Sequence, residues 1–534
     1  MITVTVNTPD FEYDIHSLVK AFYPEEDVVV GEHPEEKKKG PIALSFHVYY
    51  ETGRIRVQME KPQAGESLPG SESTLAEESW QPVEPQGEGR SQDEVRQEDD
   101  GSHPGVLTLE RQAQVDYEGK KDPAKRRETK NRLKKLLYGM LQEETGKTLP
   151  WGTLSGIRPT KIPMKGLEEG KTEEEILEGM KEDYLVSEEK GRLSIRIAEK
   201  EKAILDRLHP KEDMSLYVDV PFCPTRCLYC SFTSYPIGEC RKRHLVSAYL
   251  DALEKEVHYA AGVLKGKKLE TVYIGGGTPT SLSEEELERL LSMLEENLDF
   301  SSLLEFTVEG GRPDSFTKGK LQVLKQHPVT RISVNPQTMN QKTLEVIGRA
   351  HTVQQTIDAF HLARSEGFDN INMDIILGLP GEGENEVRHT LEEVEKLCPD
   401  SLTVHSLAIK RAARLSEEYD EYRKLGMENN NRRMRLAQEA AEKMGLSPYY
   451  LYRQKNMAGN LENTGYARPG KEGIYNILIM EEKQTILSLG AGGMTKVVRE
   501  GKPVRVHNVK DVQQYISRVD EMIERKKEVL DGIE

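Results

Sequence analysis

The sequence predicts an α/β fold: an open, partial (β/α)6 barrel, preceded by an α+β domain and followed by an α+β extension. Three observations carry that expectation. Apolar runs recur six times between residues 216 and 405, with helical patterns between them, as βαβ units of a parallel sheet require. The chain has 534 residues, so two or three domains are expected. Three of its five cysteines, Cys223, Cys227 and Cys230, follow the first of those runs, at the strand end where α/β folds carry their chemistry.

Taken in order, residues 1–205 form the expected N-terminal domain. Ile2, Val4 and Val6 alternate as in a strand, Ile15, Leu18, Val19 and Phe22 share a helical face, and Val28–Val30, Ile42–Tyr50 and Arg54–Met59 read as strands. From about Gln63 to Pro104 the chain is rich in Gly, Ser, Glu, Gln and Pro and poor in apolar residues. Such a segment buries too little to offset its ordering entropy, and it reads as a disordered insertion at about 63–104. A strand is expected over 106–115 and a helix over Asp122–Gly146, where Leu133, Leu136, Leu137, Met140 and Leu141 share a face. The loop Trp151–Lys161 lacks the Gly-Lys-Ser/Thr ending of a nucleotide loop and reads as a structural turn rather than an anion site. Helices are expected at Glu173–Tyr184 and Leu193–Leu208.

The barrel is expected over 206–410, with strands Leu216–Val220, Thr271–Ile274, Glu305–Val308, Arg331–Val334, Ile371–Leu377 and Leu402–His405, and helices such as Ser283–Leu294 and Thr352–Ser365 between them. Residues 411–534 form a C-terminal extension that would cover the substrate. The net charge of -17 argues against a nucleic-acid or membrane-surface partner. No basic leader opens the chain and no apolar run approaches a membrane span, so a cytoplasmic location is expected.

Thiolates spaced Cys-x3-Cys-x2-Cys can wrap one 4Fe–4S cubane, which normally takes four cysteines. Three local ligands would leave one iron open to a small chelating molecule. Structural zinc is the alternative, with Cys240 or His244 as the nearest residue to complete a closed set, and inert buried thiols are the third reading. The segment Gly275-Gly-Gly-Thr-Pro279 follows the second strand, and it reads equally as a close approach to a ligand or as a tight turn. Glu309 follows the third strand, Gln337 the fourth, Arg349 lies on the next helical segment, and Asp374 sits inside an apolar strand, where it requires a partner.

With Tyr229 before the last cysteine, this motif resembles that of radical S-adenosylmethionine (SAM) enzymes. The lead-in Tyr-x-x-x-Pro-Phe-Cys, from Tyr217 to Cys223, resembles the oxygen-independent coproporphyrinogen III oxidase family, over about Met214 to Lys496. The resemblance implies a radical SAM barrel with Cys223, Cys227 and Cys230 on a 4Fe–4S cluster. It also implies that Gly276, Gly277 and Thr278 contact the methionine part of SAM. Glu309, Gln337, Arg349 and Asp374 would bind SAM through its ammonium, carboxylate and hydroxyls, with Tyr217, Tyr229 and Ala408 as further contacts.

The activity so implied is oxidative decarboxylation of coproporphyrinogen III to protoporphyrinogen IX by a 5'-deoxyadenosyl radical. A reduced electron donor of flavodoxin or ferredoxin type and a monomeric protein go with it. Lys410, Arg411, Arg453 and Arg468 are candidate partners for the tetrapyrrole's propionates. The chain also departs from the family. Asp219 stands where the oxidases carry His, and Phe232 where they carry a fourth cysteine. The haem-chaperone branch carries a His-Asn-x-x-Tyr-Trp motif, and here the matching stretch is Tyr475-Asn-Ile-Leu-Ile-Met480, without the histidine or the Tyr-Trp pair. The long N-terminal extension and this altered motif resemble most the coproporphyrinogen dehydrogenase subgroup, HemZ. A haem or porphyrin carrier without decarboxylase activity is the alternative.

Overall fold

The computed structural model describes residues 1–34, 42–62, 95–96, 106–116, 122–454, 457–499 and 503–530. The expected disordered insertion at about 63–104 lies outside the described residues, apart from Val95–Arg96. The chain divides into two compact units, Met1–Gly156 with Glu174–Arg192, and Ile157–Glu173 with Leu193–Glu534.

The first unit is built on strands β1 (Ile2–Val6), β2 (Val28–Gly31), β3 (Leu44–Glu51), β4 (Arg54–Pro62), β5 (Val95–Arg96) and β6 (Val106–Gln114), in sheet order β2-β1-β3-β4-β6-β5. β1 runs parallel to β2 and β3; β4 is antiparallel to β3 and β6. The alternating Ile2, Val4 and Val6 are buried together with Ile15, Leu18, Val19 and Phe22 of the helix Glu12–Phe22 and with Leu133, Leu137 and Leu141 of the helix Pro123–Thr145. That second helix starts on Asp122, whose carboxylate accepts from the amides of Ala124 and Lys125, and ends on Gly146 at φ +64°, a left-handed position that favours glycine. The Trp151 loop is a structural turn: Trp151 is buried, and the amide of Thr153 donates to Tyr184 O at 2.7 Å.

In the second unit, β7 (Met214–Val220) is followed by a short parallel pair, β8 (Phe222–Cys223) and β9 (Tyr235–Pro236). Then come β10 (Leu269–Gly276), β11 (Glu305–Glu309), β12 (Arg331–Ser333), β13 (Ile371–Leu377) and β14 (Ser401–Ser406). These six, β7 and β10–β14, are the expected strands, and each pairs in parallel with the next. The helix expected from Leu193 begins at Glu188, because its first turn is polar and carries no apolar signal.

The arc is longer than six strands. β15 (Ser447–Tyr452) and β16 (Asn463–Ala467) extend it antiparallel beyond β14. On the other side β17 (Thr485–Leu489) lies parallel to β7 and is followed antiparallel by β18 (Met494–Val497) and β19 (Val504–His507). Among the described residues the result is an open sheet of eleven strands.

Side chains alternate across the pleat. Leu216, Val218, Ile274, Phe306, Ile332 and Met373 face the helices and form the main core. Between them stand polar residues on the other face: Ser215 accepts from Thr271 at 2.7 Å, and Arg331 donates to Ser401 Oγ at 3.1 Å. The helix Ile474–Glu481 lies over this polar face. Its Tyr475 stacks on Tyr217 and Tyr273, with ring centroids 6.1 and 4.7 Å apart, and its first amide donates to Glu305 Oε2 at 2.5 Å.

Candidate functional site

The strand ends are shaped by what leaves β7. Pro221 stops the ladder, and the chain turns into the loop that holds the three cysteines. Neighbouring segments hold that loop. The amide of Gly277 donates to Val220 O at 2.8 Å and that of Thr278 to Phe222 O at 2.7 Å. On the far side, Leu228 N donates to Ile347 O and Leu415 N to Leu228 O, both at 3.0 Å. A Cβ on Gly277 would come within 2.8 Å of Val220 O, so only glycine allows this docking. The Gly275–Pro279 segment is thus both a tight turn and the shelf against which the cysteine loop rests.

Cys223, Cys227 and Cys230 are half-buried free thiols. Thr278 Oγ1 donates to Cys223 Sγ at 3.5 Å. Burial pushes the Cys223 thiol up to about 11 and raises that of Cys230, so iron must displace the proton from each. Among the described residues no three His, Cys, Asp or Glu side chains converge on a single ion. A cubane asks each thiolate to hold a different corner, so spread donors suit it. A fourth zinc ligand from Cys240 is not at hand, since Cys240 is packed in the main hydrophobic core.

Glu309 ends β11 and Asp374 lies in β13, both on the polar face. Burial and the neighbouring Asp374 push Glu309 up to about 8. Asp374 is partly buried too, yet its carboxyl is held below the ordinary range by His405, whose Nε2 lies 3.8 Å away, and by Asn372, which donates to it at 2.7 Å. Gln337 has φ +68°, a strained left-handed position, and is locked by two backbone bonds of 2.9 Å to Asp374 and Ile376 of β13. Arg349 is not helical, as the sequence led one to expect: it lies in the loop between the helices Gln341–Val346 and Val353–Ser365. There it donates to Tyr229 Oη at 2.9 Å and to the carbonyls of Gly311 and Asn335 at 3.1 and 2.7 Å. Ala408 forms a bridge with Met457 just beyond β14.

The structure therefore brings the cysteine loop, Gly276–Thr278, Tyr229, Glu309, Gln337, Arg349 and Asp374 to one end of one sheet. Tyr217 sits deeper, with its hydroxyl 3.4 Å from Asp219 Oδ2. Buried Ser333 Oγ, Asn335 Oδ1 and Arg349 Nε have no partner among the described residues. Two adjacent carboxyls, one of them forced toward protonation, and unsatisfied polar atoms fit a ligand carrying an ammonium, a carboxylate and hydroxyls. Of the candidate substrate cations, Lys410 lies 5.7 Å over the exposed ring of Phe232, beside the cysteine loop, and Arg411 is exposed next to it. Arg468 instead contacts Cys398 Sγ at 2.9 Å, and Arg453 donates to Asn460 Oδ1 at 2.6 Å.

Sequence reading missed Tyr273, Arg312 and His405 in this neighbourhood. Their signal was a period of two within runs read as simply apolar: Tyr217/Asp219, Thr271/Tyr273, Asn372/Asp374 and Thr403/His405. Arg312 had no periodic signal, because it lies beyond the end of β11.

Comparison with known proteins matches the radical SAM superfamily model over residues 217–394. A Bacillus subtilis protein named oxygen-independent coproporphyrinogen-III oxidase-like protein HemZ is 43% identical over 413 residues, covering 76% of this chain and 82% of its own length. This chain belongs to the HemZ family of radical SAM proteins. The family's cofactors are a 4Fe–4S cluster and SAM. The haem chaperone HemW of B. subtilis is 39% identical over 197 residues, 37% of this HemZ-family chain and 51% of HemW. Among solved structures, the radical SAM coproporphyrinogen III oxidase HemN of Escherichia coli aligns at 23% identity with a TM-score of 0.48, over 60% of this chain and 72% of HemN. Among the described residues no helix is long and apolar enough to cross a membrane.

Proposed function

We propose that this protein decarboxylates coproporphyrinogen III oxidatively to protoporphyrinogen IX, turning two propionate side chains into vinyl groups, each with loss of CO2, of a hydrogen atom to the adenosyl carbon and of one electron to an electron acceptor. Cys223, Cys227 and Cys230 would hold the cluster. Gly276, Gly277, Thr278, Glu309, Gln337, Arg349 and Asp374 would hold SAM, with Tyr217, Tyr229 and Ala408 beside it. When bound, cluster and SAM supply a hydrogen-abstracting carbon radical. The chain's own residues orient and exclude water. Glu309 and Asp374 offer carboxylates to an ammonium and to hydroxyls, and Arg349 anchors the cysteine loop through Tyr229. Lys410 and Arg411 would meet propionates at the mouth, and residues 411–534 would cover the tetrapyrrole. A reduced donor of flavodoxin or ferredoxin type would supply electrons to the protein acting as a monomer.

The observation that favours an enzyme over a carrier is the place of Tyr475. It stands where the chaperone branch carries a histidine, but it is 5% exposed and stacked against Tyr217 and Tyr273 in a cluster of three rings, out of reach of a haem at the surface. One anaerobic incubation with SAM, dithionite and coproporphyrinogen III tests the reading. The expected products are 5'-deoxyadenosine, a three-propionate intermediate and protoporphyrinogen IX. If 5'-deoxyadenosine forms while the tetrapyrrole keeps its four carboxylates, the decarboxylase reading is lost and haem binding becomes the function to measure.

A further inference from the structure

Just beyond β11, in Gly310-Gly-Arg-Pro-Asp314, lies a buried guanidinium that neither the SAM contacts nor the substrate contacts use. Arg312 is 3% exposed. Its Nε and Nη2 donate to the two carboxylate oxygens of Asp314 at 2.9 and 2.8 Å, a bidentate fork. Its third nitrogen, Nη1, points the other way. It donates to Thr225 Oγ1 at 2.8 Å and lies 3.9 Å from Cys227 Sγ. Thr225 is within the cysteine loop, two residues before Cys227.

A second buried guanidinium, Arg349, is bound to Tyr229 in the same loop. Two positive charges thus face the Cys227 side of the loop, and Asp314 is the carboxylate clamped to one of them. His351, fully buried, has Nδ1 3.9 Å from Asp314 Oδ1. Burial and Arg349 push that imidazole down to about 3, so it is neutral and leaves the charge of Asp314 to Arg312.

We infer that Arg312, held by Asp314, is a positioning residue that tunes the iron–sulfur cluster through the Cys227 sulfur and pins its loop through Thr225. The physical basis is general. An N–H donor and a positive charge at a cluster sulfur stabilise the more negative, reduced state, and so raise the reduction potential. The clamp makes this a fixed field: Arg312 already has its fork satisfied by Asp314, so Nη1, with its two N–H groups, is left aimed at the loop. Lysine cannot make both contacts, because it lacks the planar fork.

This inference rests on Cys227 being a cluster ligand, and the experiment separates the two. The reconstituted full-length protein, without SAM, is titrated with dithionite and followed by electron paramagnetic resonance. Chelator-driven iron loss is measured alongside. Absence of a cluster in the parent protein would sink the ligand assignment itself. With the cluster present, Arg312→Gln should shift the midpoint to more negative potential and release iron several-fold faster. Asp314→Asn removes the counter-charge while keeping an amide to bind the guanidinium, and should shift the midpoint the opposite way. Arg312→Lys should fall between the parent and Arg312→Gln. A merely structural clamp would move Arg312→Gln and Asp314→Asn in the same direction, and that result overturns the inference, as does an unchanged midpoint in both. Should Arg312→Gln hold no cluster, the sign of the shift in Asp314→Asn alone decides: upward supports the tuning role, unchanged or downward ends it.

Discussion

Two carboxyls on the polar face decide much of the chemistry available at the strand ends. Glu309 is held up to about 8 by burial and by Asp374. An acid whose folded value lies above its unfolded value of 4.5 favours the fold while protonated. That contribution is complete below about pH 4.5 and is lost as pH rises toward 8. The ligand-free protein should therefore show a thermal midpoint that falls between pH 5 and pH 8 from this group, and Glu309→Gln should flatten that slope. A SAM ammonium opposite Glu309 would stabilise the carboxylate instead, so SAM affinity should rise over the same range in the parent and not in the variant. At the thiols the expectation is categorical. Alanine at Cys223, Cys227 or Cys230 should abolish the iron–sulfur chromophore, whereas alanine at core-packed Cys240 or exposed Cys398 should keep it. Iron analysis and absorbance of anaerobically reconstituted protein check both halves.

The helix Ile474–Glu481 shows what an element contributes beyond its own residues. Ile477 and Leu478 are fully buried with Tyr449, Tyr450 and Ala198, while Tyr475 stacks on residues of β7 and β10. One helix thus covers the polar face that the barrel strands leave. Tyr475→Ala would open a cavity beneath the site and should cost about 3–5 kcal/mol by denaturant unfolding. Tyr475→Phe keeps the ring stack and should cost much less. A small effect of the alanine variant would mean that the three rings do not carry the packing ascribed to them.

Across the molecule, distant segments are tied by a few buried polar bonds. Glu256, in the helix Leu245–Val263, pairs with Lys526 of the C-terminal helix Val519–Leu530, and both are fully buried. Asn508 Nδ2 donates to the same carboxylate at 3.0 Å, and the hydroxyl of Tyr515 at 2.6 Å. Lys526→Met would leave the buried carboxylate without its counter-charge and should destabilise the protein by about 3–5 kcal/mol. In the first unit, Pro62 of β4 lies directly opposite Val106 of β6. A four-residue turn can therefore replace 63–104, at the loss of the two-residue strand β5, and the midpoint of thermal unfolding should change little. A fall of several degrees would show that this segment packs.

What the sequence determined by itself is local and chemical. The spacing of the three cysteines, the strand that leads into them and the six parallel strands were legible because each is encoded by neighbours along the chain. The family followed from the same motif. What only the tertiary structure decided is which distant residues share a face. β17 joins β7 from more than 260 residues away, so no repeat announced it. Arg349 reaches Tyr229 from a loop between helices, Tyr475 enters the barrel on a helix of the C-terminal extension, and Arg312 turns toward Cys227 across a strand end. Pattern along a chain reports which side of an element is buried. It does not report which element comes to cover that side, because that depends on contacts between segments with no common period.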